Sequence, residues 1–263
     1  MKWIIRCVVV LVAIIGGVRL MPVIPVSSGD NVSTTIHYVA LGDSIAYGYG
    51  LDNREEESYV GKVSQYLQKE YDNVVMTNFG ENGMRSNELL DILTNPEDER
   101  YNKYRATLTY ADVVTISIGS NDLLHFIKLD FNVEEVIQKN EWMFRQACVE
   151  FQKNFPKIIK EIHKINPRAR IFANNIYNPA KGLTFYLNVY DVAEKYINYL
   201  NVAFDKADDY YLIDIKKAFE QCEKSMINVS LNGREIDPHP SKEGHQLIGE
   251  LVTKKIQSTN KEP

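Results

Sequence analysis

The chain has 263 residues, of which 44% are hydrophobic and 25% are charged, and its formal net charge at pH 7 is -5. This composition is that of a globular protein large enough to bury a full core, so it excludes a chain that is disordered throughout. The 30 Lys and Arg residues form no basic stripe against the 35 Asp and Glu residues. That distribution argues against nucleic acid as a partner.

The N-terminal segment, residues 1–28, differs from the rest of the chain. Positive charge precedes an uncharged apolar run over residues 7–18, which is the layout of an export signal. The run is shorter than the roughly 20 residues that a membrane-spanning helix needs, and Arg19 follows it. Cleavage after Ser28 and an uncleaved membrane anchor are both open. Either alternative predicts that residues 29–263 form one domain that is secreted or anchored on the outer face of the cytoplasmic membrane, with any membrane contact made by the N-terminal segment.

Beyond this segment, short apolar stretches rich in β-branched residues alternate with helical patterns. Such stretches are typical of parallel strands covered on both faces. They predict five strands, over residues 38–41, 74–78, 113–118, 170–173 and 211–215. The alternation of strand and helix implies right-handed crossovers and a doubly wound parallel sheet, which is the α/β class.

Two helices are indicated most clearly. Apolar residues recur at helical spacing from Phe144 to Ile165, and Pro156 within that run predicts a kink or a break into two helices. The last helix, over residues 241–257, has Ser241 as a candidate N-cap. Its expected buried face consists of Leu247, Ile248, Leu251, Val252 and Ile256.

The three cysteines do not have the spacing of a metal site. Cys7 lies in the N-terminal segment, whereas Cys148 and Cys222 either form one disulfide in an oxidising compartment or remain two thiols. The sequence has no CxxC pair and no His/Cys cluster with zinc spacing. It therefore predicts no metal site, and it carries no sign of a cofactor.

Residues capable of catalysis follow the predicted strands. Ser44 stands in a Gly-Asp-Ser turn after the first strand, Gly83 follows the second and Asn121 follows the third. Asp237 and His239 lie in a loop before the last helix. Because ligands bind at the carboxyl ends of the strands in such sheets, we expect these residues to meet at one rim.

Their residue types suit nucleophilic catalysis. A serine hydroxyl needs a base to take its proton, a histidine needs a partner that orients it, and an oxyanion needs donors already in place. Backbone N–H groups of tight turns and a side-chain amide are such donors. The turn around Ser44 lacks the lysine of a phosphate-binding loop, the dinucleotide-binding glycine spacing and the G-x-S-x-G elbow of ordinary α/β-hydrolases.

Four short blocks carry a resemblance to a known family. Residues 42–45 read GDSI, Gly83 follows, residues 119–122 read GSND and residues 237–240 read DPHP. Their order resembles that of the SGNH hydrolases, also called GDSL esterases/lipases, and the resemblance spans residues 36–257. It is strongest to the exported bacterial acylhydrolase branch. The resemblance implies a three-layer α/β sandwich of the flavodoxin-like kind, with a parallel sheet of about five strands.

The same resemblance implies a role for each matched residue. Ser44 takes the place of the nucleophile and His239 that of the catalytic base. The backbone N–H groups of Ser44 and Gly83 and the side chain of Asn121 take the places of the oxyanion donors. The reaction so implied is hydrolysis of esters or thioesters through an acyl-serine.

The acid departs from the family pattern. The family places it three residues before the histidine, where this chain has Ile236, so Asp237, two residues before His239, is the predicted acid. Glu235 and a Ser/His dyad oriented by a backbone carbonyl are the alternatives. His245 is a rival base, but it lies beside the buried face of the last helix, which favours a packing or a surface residue instead.

The sequence thus predicts a serine esterase/lipase-type acylhydrolase acting on a small-molecule, lipid or glycan ester. A carbohydrate O-deacetylase acting on cell-wall polysaccharide is one alternative. The other is a catalytically silent binding module, which the irregular spacing between the acid and the histidine favours. Acyl-chain length and oligomeric state are left open.

Overall fold

The computed structural model describes residues 35–125, 139–181, 187–229 and 236–260. The N-terminal segment, with its predicted signal or anchor, lies outside the described residues, as does Glu235. In chain order the elements are β1 (Thr35–Gly42), α1 (Ser44–Tyr47), α2 (Arg54–Glu57), α3 (Tyr59–Glu70), β2 (Asn73–Gly80), α4 (Ser86–Thr94), α5 (Tyr101–Thr109), β3 (Val113–Ser117), α6 (Ser120–Leu124), α7 (Glu141–Ile165), β4 (Arg170–Asn174), α8 (Leu187–Asp205), β5 (Tyr211–Ile213), α9 (Ile215–Gln221), β6 (Ile227–Val229), β7 (Ile236–Pro240) and α10 (Lys242–Thr259).

The main sheet has five strands in the order β2-β1-β3-β4-β5, and every neighbouring pair is parallel. The predicted α/β class and the five-stranded parallel sheet are therefore confirmed. All five predicted strands are present, each within a few residues of its expected bounds. The sequence analysis missed a separate antiparallel pair, β6 with β7.

Each face of the sheet carries its own hydrophobic core, because side chains alternate along a strand. On β1, Val39 and Leu41 pack into the core that includes α4, α7 and α8. Tyr38 and Ala40 point to the opposite core, which includes α3 and α10. The result is the three-layer sandwich that the resemblance implied.

Helix α7 runs without a break from Glu141 to Ile165, so the predicted division into two helices at Pro156 is wrong. A proline inside a helix costs about 3 kcal/mol because it removes a hydrogen bond and crowds the preceding turn. Here the apolar face continues through the proline. Phe151, Phe155 and Ile158 are fully buried, and their packing offsets that cost.

The remaining local expectations are largely met. The Ser241 side chain accepts a hydrogen bond from the Gly244 N–H at 3.1 Å and caps α10. Strand β5 ends at Ile213 rather than at residue 215, because Asp214 caps the next helix by accepting from the Lys217 N–H.

Cys148 and Cys222 are free thiols, and Cys148 is buried in α7. Of the two alternatives for this pair, the structure therefore has the unbonded one. Among the described helices, none is long and apolar enough to cross a membrane.

The turn after β1 depends on a glycine. Gly42 has φ +134°, and a Cβ built on it would lie 1.9 Å from the Ser117 carbonyl oxygen of β3. That same oxygen accepts a hydrogen bond from the Asp43 N–H at 2.9 Å. The chain thus leaves β1 in contact with its neighbour, and no side chain fits between the two strands at this point.

We expect Gly42→Ala to lower the free energy of unfolding by about 3 kcal/mol or more, since it adds overlap to the strain of a positive φ. Gly83→Ala is the matched control. Gly83 also has a positive φ, +82°, but its Cβ would meet nothing within 4 Å, so only about 1 kcal/mol is expected. Urea unfolding followed by circular dichroism measures both. Equal losses would contradict the argument from crowding.

Candidate active site

The β1–α1 turn places Ser44 at the carboxyl edge of the sheet. Asp43 precedes α1, and its carboxylate accepts the Ile45 N–H at 3.0 Å, which closes the turn around the serine. Burial raises the pKa of the Asp43 carboxyl to about 7, against the opposing effect of the Ile45 hydrogen bond. Ser44 itself is 8% exposed.

Ser44, His239 and Asp237 form one continuous chain of hydrogen bonds. The Ser44 Oγ lies 2.8 Å from the His239 Nε2, and the His239 Nδ1 contacts the Asp237 Oδ1. A carboxylate can only accept, so the ring carries its proton on Nδ1 and leaves Nε2 free to accept from the serine hydroxyl. The structure therefore brings Ser44 into contact with a histidine 195 positions later in the sequence and, through it, with the neighbouring Asp237.

The two-residue spacing lets Asp237 reach the ring because both residues lie on β7. The Asp237 carboxylate also accepts the backbone N–H of His239 at 3.1 Å, which folds the side chain back along its own strand. Asn228 of β6 donates to the other carboxylate oxygen at 3.3 Å and to the Pro240 carbonyl at 3.4 Å. The hairpin thus holds the acid in place.

Two aromatic residues that the sequence analysis did not assign complete the surroundings of His239. Tyr177 lies three residues beyond the end of β4, and its hydroxyl donates to the Pro238 carbonyl at 2.5 Å, which anchors β7 between the acid and the base. Tyr49, which is 45% exposed, lies against the imidazole with ring centroids 4.5 Å apart. Neither contact could be read from local spacing, because each joins distant parts of the chain. Tyr177 and Pro238, for example, are 61 positions apart.

The expected oxyanion donors lie on three different segments. Gly83 sits in a turn closed by the Met84 N–H donating to the Glu81 carbonyl at 3.2 Å. The Asn121 Nδ2 donates to the Met84 carbonyl at 3.1 Å, which uses one of its two hydrogens. Within the described ranges, neither the Ser44 N–H nor the Gly83 N–H donates to a protein acceptor. Two backbone donors and one side-chain hydrogen therefore remain available.

His245 does not share this site. Its ring is fully buried on α10, and its Nδ1 accepts the Tyr59 N–H at 3.3 Å. Burial, and next the charge of His239, lower the pKa of His245 to about 4. The ring is therefore neutral at pH 7 and part of the packing, which is one of the two alternatives that the sequence left open.

No group of three or more His, Cys, Asp or Glu side chains within the described part of the chain is arranged to hold a metal ion. The groups gathered at this edge of the sheet are a hydroxyl, an imidazole, a carboxylate and amide donors. This set can move a proton from an oxygen nucleophile and stabilise a negative charge on a neighbouring oxygen.

The model of the GDSL-like Lipase/Acylhydrolase family matches residues 40–247. The chain belongs to this family. All five candidate site residues lie inside this match: Ser44, Gly83, Asn121, Asp237 and His239.

Two relatives and one solved structure illustrate the similarity. YpmR, an uncharacterized protein of Bacillus subtilis, is 30% identical over 82% of this chain and 80% of its own length. The spore germination lipase LipC of Bacillus licheniformis is 27% identical over 83% of this chain and 95% of its own. The crystal structure of the lipase Lip_vut3 from a goat rumen metagenome superposes with a TM-score of 0.65 and 24% identity, covering 85% of this chain and 97% of that chain. This last likeness shows the shared fold.

The buried His245 predicts a pH dependence of stability. The folded-state pKa of about 4 lies below the unfolded value of about 6.5, so the unfolded chain binds the proton first. The contribution of His245 to the free energy of unfolding is then fully present above pH 6.5. As the pH falls towards 4, about 3 kcal/mol of it is lost. We expect His245→Asn, whose Oδ1 can accept the Tyr59 N–H, to remove this loss.

Urea unfolding of the wild type and of His245→Asn at several pH values between 4 and 7 checks this expectation. Asp43 has the opposite effect, because its raised pKa makes acidification stabilising over the same range. Both proteins contain Asp43, so its contribution cancels in the difference between them. Parallel curves would contradict the role assigned to His245.

Proposed function

We propose that this protein is a serine esterase of the acylhydrolase type, with Ser44 as nucleophile, His239 as base and Asp237 as the group that orients the base. One observation carries the proposal. The Ser44 Oγ lies 2.8 Å from an imidazole nitrogen whose ring partner contacts a carboxylate. This is the arrangement that makes a serine hydroxyl nucleophilic at neutral pH.

The reaction proceeds in two halves. Ser44 Oγ attacks the ester carbonyl carbon while the His239 Nε2 takes its proton, giving a tetrahedral intermediate with a negative oxygen. The intermediate collapses as His239 gives that proton to the leaving alkoxide, and an acyl-serine remains. His239 then takes a proton from water, whose oxygen attacks the acyl carbon, and returns it to the Ser44 Oγ. Asp237 keeps the Nδ1 proton in place and stabilises the imidazolium that forms twice.

Three donors support the tetrahedral intermediate in this proposal. They are the Ser44 N–H, the Gly83 N–H and the second Nδ2 hydrogen of Asn121, none of which is committed to a described protein acceptor. Donors that are fixed before the reaction stabilise the charge without reorganisation, and each is worth about 10²–10³ in kcat.

Carboxylic esters of fatty acids are the substrate class we propose. The family and the similarity to a spore germination lipase both favour esters of long-chain fatty acids over the acetyl esters of a polysaccharide. The silent binding module was favoured by the unusual acid-to-histidine spacing. Contact between Asp237 and the His239 ring removes that reason.

We also propose that the domain works outside the cytoplasm, because residues 1–28 have the charge and hydropathy pattern of an export segment. Cells expressing the full chain should yield the protein in the medium or in the membrane fraction, digestible by protease added to intact protoplasts. A lysis control separates surface exposure from leakage. Protein that is soluble and protected until the cells are lysed would contradict this location.

The function is tested on the full-length chain purified in a mild detergent, with a p-nitrophenyl ester series from acetyl to long acyl chains. We expect hydrolysis that rises with acyl length, and a loss of at least about 10³-fold in kcat for Ser44→Ala and for His239→Ala. A fluorophosphonate probe should label Ser44 in the wild type. A preference for acetyl esters would instead support the carbohydrate O-deacetylase.

Two matched variants serve as controls. Ser64→Ala changes a second buried serine, which lies on α3, and His245→Asn changes a buried histidine that lies outside the site. Both should keep wild-type kcat. Activity that survives in Ser44→Ala, or labelling of a different residue in folded protein, would refute the assignment of the nucleophile.

A further inference from the structure

A buried polar cluster lies beside the candidate oxyanion donors and takes no part in the chemistry proposed above. Ser86, the first residue of α4, is fully buried, and Asp122 of α6 and Asn154 of α7 are each 7% exposed. The Asp122 carboxylate accepts the Ser86 N–H at 3.0 Å and the Ser86 hydroxyl at 2.5 Å. Asn154 donates to the same hydroxyl oxygen at 3.1 Å. We call these three residues the Ser86 clamp.

The clamp joins the loop that carries one donor to the helix that carries another. Gly83 and Ser86 are three positions apart on the β2–α4 connection, and Asn121 and Asp122 are neighbours on α6. The Asn121 side chain donates a hydrogen bond to the Met84 carbonyl of this connection. Two residues later, the Asp122 carboxylate accepts the Ser86 N–H. Two consecutive residues of α6 therefore hold the connection on the far side of Gly83.

The near side of the connection is tied to the serine turn. The Glu81 N–H donates to the Gly42 carbonyl at 3.0 Å, just before Ser44. Hydrogen bonds thus hold the Gly83 loop on both sides, to the serine turn before Gly83 and to α6 after it. Between these attachments Gly83 itself is exposed.

Packing is incomplete on one side of the clamp. A cavity of about 270 Å³ adjoins it and is lined in part by Arg85, Asp122 and Asn154. A loop that borders an empty volume has room to shift once its hydrogen bonds are removed. A buried carboxylate is also costly to keep, and burial raises the pKa of Asp122 while the Ser86 hydrogen bonds act in the opposite direction. Asp122 therefore depends on Ser86 as much as the loop depends on Asp122.

We propose that Ser86 and Asp122 are positioning residues for the oxyanion donors, and that their mutual hydrogen bonds set the distance between the Gly83 N–H and the Asn121 side chain. The inference rests on the proposed function. Donors must be held to within about 0.5 Å of the productive geometry to be effective. A small shift of the Gly83 loop therefore lowers kcat while substrate binding is retained.

The test compares Ser86→Ala, Asp122→Ala and the double variant in the full-length chain, with Asn121→Ala as the benchmark for a lost donor. Ser86→Ala should lower kcat about tenfold and Asp122→Ala about 10²-fold, with KM changed less than about twofold. The double variant should match Asp122→Ala, because both changes remove the same interaction. The inhibition constant of a trifluoromethyl ketone, which forms an oxyanion on Ser44, should rise in proportion to the loss in kcat/KM.

Asn166→Ala controls for a purely structural effect. Asn166 is buried and donates to the Leu108 and Ala111 carbonyls at 3.1 and 2.8 Å, at the opposite edge of the sheet. It should lower Tm without changing kcat. Every rate is expressed per active site titrated with a fluorophosphonate, so that unfolded molecules do not count.

A wild-type kcat per titrated site in Ser86→Ala, with a lowered Tm, would overturn the inference and leave the clamp a structural feature only. Should Asp122→Ala fail to fold, the milder Ser86→Ala decides alone. Ser44-dependent hydrolysis by the wild type is established first. Its absence overturns the proposed function together with this inference, whereas failure of the inference alone appears as variants that retain wild-type rates.

Discussion

The close approach of β1 and β3 at Gly42 is the constraint on which the candidate site depends. The Ser117 carbonyl occupies the place where a side chain at residue 42 would project, and it accepts the Asp43 N–H. This contact ends β1, turns the chain and directs Ser44 to the edge of the sheet. The Gly42 carbonyl then holds the Gly83 loop through Glu81. Two backbone contacts at the end of β1 therefore determine where the serine and a neighbouring donor lie.

The sheet explains why residues far apart in sequence converge. In a parallel sheet every strand ends at the same edge, so turns that follow different strands are neighbours in space. Ser44, Gly83 and Asn121 follow β1, β2 and β3, which are adjacent in the order β2-β1-β3. Side chains on both faces of β1 and β3 are buried, whereas β2 is a largely exposed edge strand, and all three residues lie just beyond the ends of their strands.

The strands and the Ser44, Gly83 and Asn121 turns could be predicted because apolar runs and turn residues are local signals. The resemblance also indicated that Ser44, His239 and Asp237 meet, but the contacts that support the β7 segment could not be predicted. Asn228 and Tyr177 reach the β7 segment through pairing and packing that no spacing encodes. Pro156 shows the opposite error, since a local rule predicted a kink or a break there and the packing of the surrounding apolar residues keeps the helix continuous. Sequence patterns thus indicated the segments, and tertiary contacts decided their details.

The histidine and the acid lie on a hairpin that is not part of the main sheet. Strands β6 and β7 form a two-stranded sheet of their own, whereas Ser44 follows the central strand of the large one. A two-stranded sheet is less stable than a larger one, and less stable regions open locally at a lower free energy than the whole domain. In the proposed mechanism, catalytic competence is therefore a local property that can be lost separately from the fold. Opening of the β6–β7 pair would separate His239 from Ser44 while the two cores of the main sheet remained intact.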